Sequence, residues 1–189
     1  MMSTSSFGSI GASTAFAAAL ALLVVAMPAR AEDPTFPPGS RIGLVPPSGM
    51  VASRTFDGFA DPGKDAAILI TVLPAAAFSQ MDKTLDIDTL KKQGVSLEKR
   101  EPMQISFGKA FLLTGRQTAD KMRYKKWLLV AGASDLTALV TVQVPEQEAK
   151  AYPDSAVRAA LATLSVRAKV PETEELGLLP FAVGDLAGF

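Results

Sequence analysis

The sequence predicts an α+β domain, an antiparallel sheet with helices packed against it, and two observations carry that prediction. Three strand-like runs follow one another with only short polar turns between them: residues 109–117 (KAFLLTGRQ), 122–130 (MRYKKWLLV) and 136–144 (LTALVTVQV). Strands joined so tightly form an antiparallel meander, because parallel pairing needs a crossover of roughly a dozen residues or more. After Pro153, the residues Val157, Ala160, Leu161 and Leu164 recur at i, i+3, i+4 and i+7. That spacing makes one apolar helix face, which must lie on the sheet.

The remaining elements follow from local chemistry. Residues 32–40 (EDPTFPPGS) hold three prolines and a glycine and read as an extended leader. Residues 41–45 (RIGLV) suit a short first strand, closed by Pro46 and Pro47. Residues 50–59 alternate as a second strand with a bend at Gly58, and Asp61-Pro62-Gly63-Lys64 is a turn. Residues 66–73 (AAILITVL) form a β-branched apolar run ended by Pro74, expected as a central strand buried on both faces. A short helical turn is expected over 75–81 and a short helix over 86–93 (DIDTLKKQ). Asp86 is the candidate N-cap of that helix and Gly94 its left-handed C-cap. Residues 95–100 return to an extended pattern ahead of the meander. Asp154 or Ser155 is the expected cap of the last helix. The order β-β-β-α-β-β-β-β-α places residues 41–169 in a single α+β domain. Residues 170–189 then read as an acidic linker (VPETEE) and an apolar tail. The tail either docks on this domain or a partner, or begins a second unit.

Residues 1–31 read as a secretory signal. The apolar run 15–27 (AFAAALALLVVAM) is shorter than the roughly 20 residues that span a bilayer. It suits a signal's hydrophobic region, and Ala29 and Ala31 match the A-x-A cleavage pattern. No lysine or arginine precedes Arg30, which leaves an uncleaved anchor or a different start codon as alternatives. The expected location is periplasmic or secreted.

Composition excludes much chemistry. The chain of 189 residues has no cysteine and no histidine, and its 19 basic residues balance 19 acidic ones. Imidazole-based catalysis, thiolate nucleophiles, disulfides and Cys/His zinc sites are therefore absent. A neutral balance argues against an electrostatic nucleic-acid binder. The groups Asp57, Asp61 and Asp65, and Asp82, Asp86 and Asp88, are carboxylate clusters without the spacing of a calcium loop, and turn and cap chemistry accounts for them. No cofactor or metal is expected. A carboxylate-based hydrolase is the weakest of the function classes considered.

The run Phe56-Asp57-Gly58-Phe59-Ala60-Asp61-Pro62 with residues 66–74 (AAILITVLP) resembles the early strands of PsbP-like and DcrB-like exported domains. Lys126-Trp127-Leu128-Leu129-Val130, residues 138–145 (ALVTVQVP) and Tyr152-Pro153 leading into 156–164 (AVRAALATL) extend the likeness over roughly residues 41–167. The resemblance implies a twisted antiparallel sheet with flanking helices, an αβα sandwich, in a binding or scaffolding module. It implies no catalytic residue.

The candidate interaction surface is the basic, aromatic run Lys121-Met122-Arg123-Tyr124-Lys125-Lys126-Trp127. Arg123, Tyr124, Lys125 and Lys126 would present an anionic partner with a docking patch. The competing reading is a basic strand end entering the sheet while Trp127 anchors the core. Strand alternation puts Arg123, Lys125 and Trp127 on one face and Tyr124 and Lys126 on the other. The function expected is an exported non-catalytic module that binds a protein or cell-envelope polymer, with peripheral membrane association left open. The alternative is a small-molecule carrier with a pocket between sheet and helix. Processed protein is expected to begin at Glu32, checked by intact mass; a mature form retaining residues 15–27 would contradict the cleavable signal.

Overall fold

The three runs joined by polar turns form the meander their spacing requires: β6 (Lys109–Ala119), β7 (Met122–Gly132) and β8 (Leu136–Pro145). The structure is a computed structural model, and it describes residues 32–85, 90–91 and 94–177. Before the meander come β1 (Ile42–Gly43), β2 (Val51–Ala52), β3 (Gly58–Asp61), β4 (Ala66–Pro74), α1 (Ala77–Thr84) and β5 (Val95–Met103). After it come a 3-10 turn at Glu146–Glu148, α2 (Asp154–Ala162), β9 (Ser165–Val166) and α3 (Glu172–Gly177). Seven strands pair antiparallel in the order β2-β3-β4-β8-β7-β6-β5, and β1 pairs with β9 beside them. The fold is α+β.

Alternation divides the sheet into two apolar faces. The inner face carries Phe59, Ile68, Ile70, Leu112, Trp127, Leu129, Val140 and Val142, packed against Tyr152, Val157, Leu161 and Leu164 of the α2 region. The outer face carries Phe111, Leu113 and Val130, covered by Phe78 and Met81 of α1 together with Leu85 and Leu90. Helices thus lie on both faces, as the αβα expectation requires. Trp127 is 0 % exposed, which makes it a core residue. Its indole Nε1 donates to Asp154 Oδ1 at 2.8 Å and so ties β7 to the first turn of α2.

Several expected elements differ in detail. Residues 50–59 are two strands, because the Ser53 hydroxyl accepts the backbone N–H groups of Thr55 and Phe56 and turns the chain. Gly58 re-enters the sheet at φ 145°, where an added Cβ would stand 1.8 Å from the Ile68 carbonyl oxygen. β4 is not buried on both faces: Ile68 and Ile70 are buried on the inner face, Leu69 on the outer face is 36 % exposed, and Val72, further along the inner face, is 46 % exposed. Asp154 does not cap α2. Pro153 occupies the N-cap position without a side-chain bond, and the Asp154 carboxylate is taken up by Trp127 and Arg158. The turn expected at 75–81 is α1, which runs on to Thr84.

The expected linker is helical instead. Glu174 of α3 receives a two-pronged bond from Arg167 at 2.5 and 2.8 Å and accepts the Gly39 N–H at 3.3 Å. The leader is tied in as well, through the Thr35–Leu44 bridge and Phe36 beneath the Arg167 guanidinium. The signal with Ala29 and Ala31, most of the helix over 86–93 and the tail beyond Gly177 lie outside the described residues. Leu90 and Lys91 are helical, and Gly94 takes the left-handed conformation at φ 76°.

Buried polar groups fasten the β3 end of the inner layer. The Tyr152 hydroxyl, on a residue 1 % exposed, donates to Asp61 Oδ2 at 2.6 Å, and Lys64 Nζ stands 2.6 Å from the same oxygen. The Lys64 ammonium and then the Tyr152 hydroxyl hold the Asp61 carboxyl below its usual range. Burial, with Asp61 beside it, pushes the Tyr152 phenol above its own range. The contribution of Asp61 is therefore complete above the unfolded carboxylate value of about 3.9, and it is lost as the pH falls through the lowered folded value. That of Tyr152 is complete below about pH 10 and is lost only as the pH rises through its raised value. The melting temperature is expected to stay level between about pH 5 and 9 and to fall below about pH 4. Tyr152→Phe is expected to lower it by several degrees at neutral pH and to flatten the acid-side slope. An acid limb unchanged in Tyr152→Phe would rule this linkage out.

Candidate functional site

The outer face is built in cross-strand rows. Register aligns Phe111, Val130, Leu139 and Thr71 in one row and Leu113, Leu128, Thr141 and Leu69 in the next. A third row holds Gly115, Lys126, Gln143 and Ala67. The connection from β4 to β5 must cross the sheet, because β4 pairs with β8 and β5 lies beyond β6 at the far edge, and α1 takes it over this face. That path carries α1 and Leu90 across the sheet. Where the roof and the floor do not meet, a cavity of about 380 Å³ remains. Leu113, Lys126, Leu128, Leu139 and Thr141 line its floor, Val95 and Leu97 its side, and Met81, Leu85 and Leu90 its roof.

A β-bulge makes the side wall. β5 pairs Leu97 with Gly115 and then Lys99 with Thr114, so Glu98 is an extra residue. One inserted residue reverses the facing of everything before it. Lys99 and Glu101 therefore face inward, and Val95 and Leu97 face the cavity. Gly115 is required where β5 folds over: an added Cβ would stand 2.4 Å from the Ser96 carbonyl oxygen.

The four candidate residues Arg123, Tyr124, Lys125 and Lys126 separate as alternation expects, two to each face. Arg123, on the inner side, lies 3.2 Å from Glu146, which also takes Arg116 at 2.7 Å. Lys125 stands 3.8 Å from Asp154 and 4.8 Å from the Trp127 ring centroid. Tyr124, on the outer side, donates its hydroxyl to Asp65 at 2.9 Å, and the Asp65 carboxylate raises the phenol above its usual range. Lys126 lines the cavity. Burial there lowers its ammonium below the ordinary lysine range, and none of the ion pairs among the described residues includes it.

The carboxylates are occupied elsewhere. Asp154 is held by Trp127 and Arg158; burial opposes its charge, but these two partners outweigh it and keep its value low. Glu101 lies 2.7 Å from both Lys99 and Arg158, the Arg158 contact being an ion pair outside hydrogen-bonding geometry. No Asp or Glu among the described residues lines the cavity. A second cleft, of about 680 Å³, is lined by the 2.5 Å Arg100–Asp82 pair together with apolar side chains such as Phe78, Met103 and Phe111.

Sequence reading overlooked the cavity wall. Its available signals were a lysine between Tyr124 and Leu128 on an otherwise apolar stripe and the glycine at 115, but the pairing of Gly115 with Lys126 appears only in the assembled sheet.

No family model matches the chain, and no curated protein matches it. Solved structures similar to it include a protein of unknown function from Pseudomonas aeruginosa, PA94, a putative regulator, at 18% identity and TM-score 0.44 over 75% of this chain and 89% of that one. LpqN of Mycobacterium tuberculosis, involved in cell envelope biogenesis, is similar at 14% identity and TM-score 0.45 over 70% and 88%. The cyanobacterial PsbP of Synechocystis sp. PCC 6803 is similar at 14% identity and TM-score 0.40 over 67% and 87%.

Gly115→Ala is expected to force β5 off β6 and destabilise the domain by about 1–3 kcal/mol, as overpacking typically does. Gly63→Ala, whose Cβ would meet Asp61 at 3.4 Å, is expected to be nearly neutral. Urea denaturation of the two variants checks the pair; equal midpoints would remove the close approach of β5 from the account.

Proposed function

We propose that the chain is a non-catalytic exported module that carries a small, mainly apolar molecule in the cavity between α1 and the outer face of the sheet. The observation that carries this reading is the cavity itself, which leucines, Val95 and Met81 enclose from three sides. Its volume of about 380 Å³ lies at the small end of the roughly 300–1,000 Å³ range of ligand sites. It holds roughly a dozen non-hydrogen atoms at about 30 Å³ each. An apolar molecule of that size gains from leaving water, because the surface it covers is already hydrophobic.

The same geometry favours the small-molecule reading over docking of an envelope polymer on the basic run. Arg123, Tyr124 and Lys125 each have an acidic partner within the chain, so a docking polymer would have to displace those contacts. Non-catalytic character rests on composition, which lacks thiol and imidazole groups, and on the internal engagement of Asp61, Asp65 and Asp154.

Titration with straight ten-carbon compounds is expected to raise the melting temperature in a saturable, one-to-one manner. A ligand at one hundred times its Kd stabilises by about 2.7 kcal/mol. Methyl resonances of Leu97, Leu113, Leu128 and Leu139 are expected to shift, while those of Leu129, Val142 and Leu161 on the inner face stay in place. Shifts confined to the inner face, or no saturable response, would refute the reading.

A further inference from the structure

We infer that the ligand of this cavity is an anionic single-chain amphiphile of about a dozen non-hydrogen atoms, with its headgroup paired to Lys126 and its chain laid along the outer-face leucines; the inference rests on the carrier reading above. The cavity is polarised along the strands. Lys126 lies in the row that also holds Gly115 and Gln143, whereas Leu128 and then Leu139 occupy the rows beyond it. From the Lys126 row to the row of Leu139 and Val130 is four residues of β7, about 13 Å at about 3.3 Å per residue. An extended chain of about ten carbons spans a comparable length. Toward one end the cavity offers the Lys126 cation with Gln117 near it, and toward the other it offers mainly leucines, with the Thr141 hydroxyl among them.

The cation lacks a counterion. Of the four candidate residues, Arg123, Tyr124 and Lys125 each reach an acidic group, and Lys126 has none among the described residues. A charge withdrawn from water is costly unless it is paired. A lysine that merely laid its stem on the surface would keep its ammonium in water, and its affinity for the proton would be undisturbed. Here burial disfavours the charged form. A ligand anion at this position would supply the missing partner through a charge-assisted hydrogen bond. Glycine opposite Lys126 on β6 leaves that side of the lysine free of a cross-strand side chain, Gln143 stands opposite it on β8, and Thr141 on the floor adds a hydroxyl. A neutral ligand would leave the ammonium unpaired, and a cationic one would be repelled.

Isothermal titration of the full-length protein with decanoate, 1-decanol and decyltrimethylammonium, each below its micelle concentration, tests the assignment. Decanoate is expected to bind at least tenfold more tightly than decanol, with the ammonium compound weakest. Lys126→Met is expected to abolish the preference for decanoate while decanol still binds, and Lys126→Arg is expected to keep it. Equal binding of decanoate and decanol by the unaltered chain, or a preference that survives in Lys126→Met, would overturn the anionic headgroup and leave the cavity reading standing. Failure of all three compounds to bind would overturn the cavity reading itself, and this inference with it.

Discussion

The inner layer depends on a single buried donor. Trp127 fills the middle of β7 and is wholly enclosed, so its indole N–H must find an acceptor inside the protein. Asp154 supplies it and is drawn away from the capping role its position suggests. The carboxylate is steadied in turn by Arg158, which reaches on to Glu101 in β5. One hydrogen bond thus sets where α2 begins on the sheet, and an ion-pair chain carries that placement to the far edge strand. Val157, Ala160 and Leu161 then pack into the same apolar core as the inner face.

The outer layer has a different origin. Strand order obliges the chain to cross the sheet between β4 and β5, and the crossing segment is the cover. A helix as short as α1 cannot cover seven strands. It protects the Phe111–Val130 row, leaves β4 open to water, and stands off from the sheet near Lys126. The cavity is a consequence of that unequal coverage, enlarged by the bulge at Glu98 that turns Val95 and Leu97 toward it. A well-packed interior would have closed such a space. Here the wall strand, the glycine opposite the lysine and the unpaired ammonium meet at the same place.

Much of the architecture was legible in residue order. The meander followed from turn length, the last helix from its 3.6-residue period, and the placement of Trp127 from the apolar run beside it. Both helical layers were expected from the resemblance over residues 41–167. Less legible were features in which a side chain answers to something distant. The split of residues 50–59 into two strands depends on Ser53 and on the close approach of Gly58 to Ile68. The helical form of 172–177 is accompanied by bonds from Arg167 and Gly39 to Glu174, which local composition does not display.

The sequence by itself determined the fold class, the alternation that separates Arg123 and Lys125 from Tyr124 and Lys126, and the absence of thiol and imidazole chemistry. Those properties depend on composition and on neighbours within a few positions, so they can be read along the chain. Only the tertiary structure decided which of the four polar residues would remain without an acidic partner. Glu146, Asp65 and Asp154 are each distant in the chain from the residue they pair with, and reach Arg123, Tyr124 and Lys125 through strand pairing and helix placement. The partners of a charge are set by what the fold brings within a few ångströms of it. Beside Lys126 the fold placed Gly115, Gln143 and the leucines of the cavity.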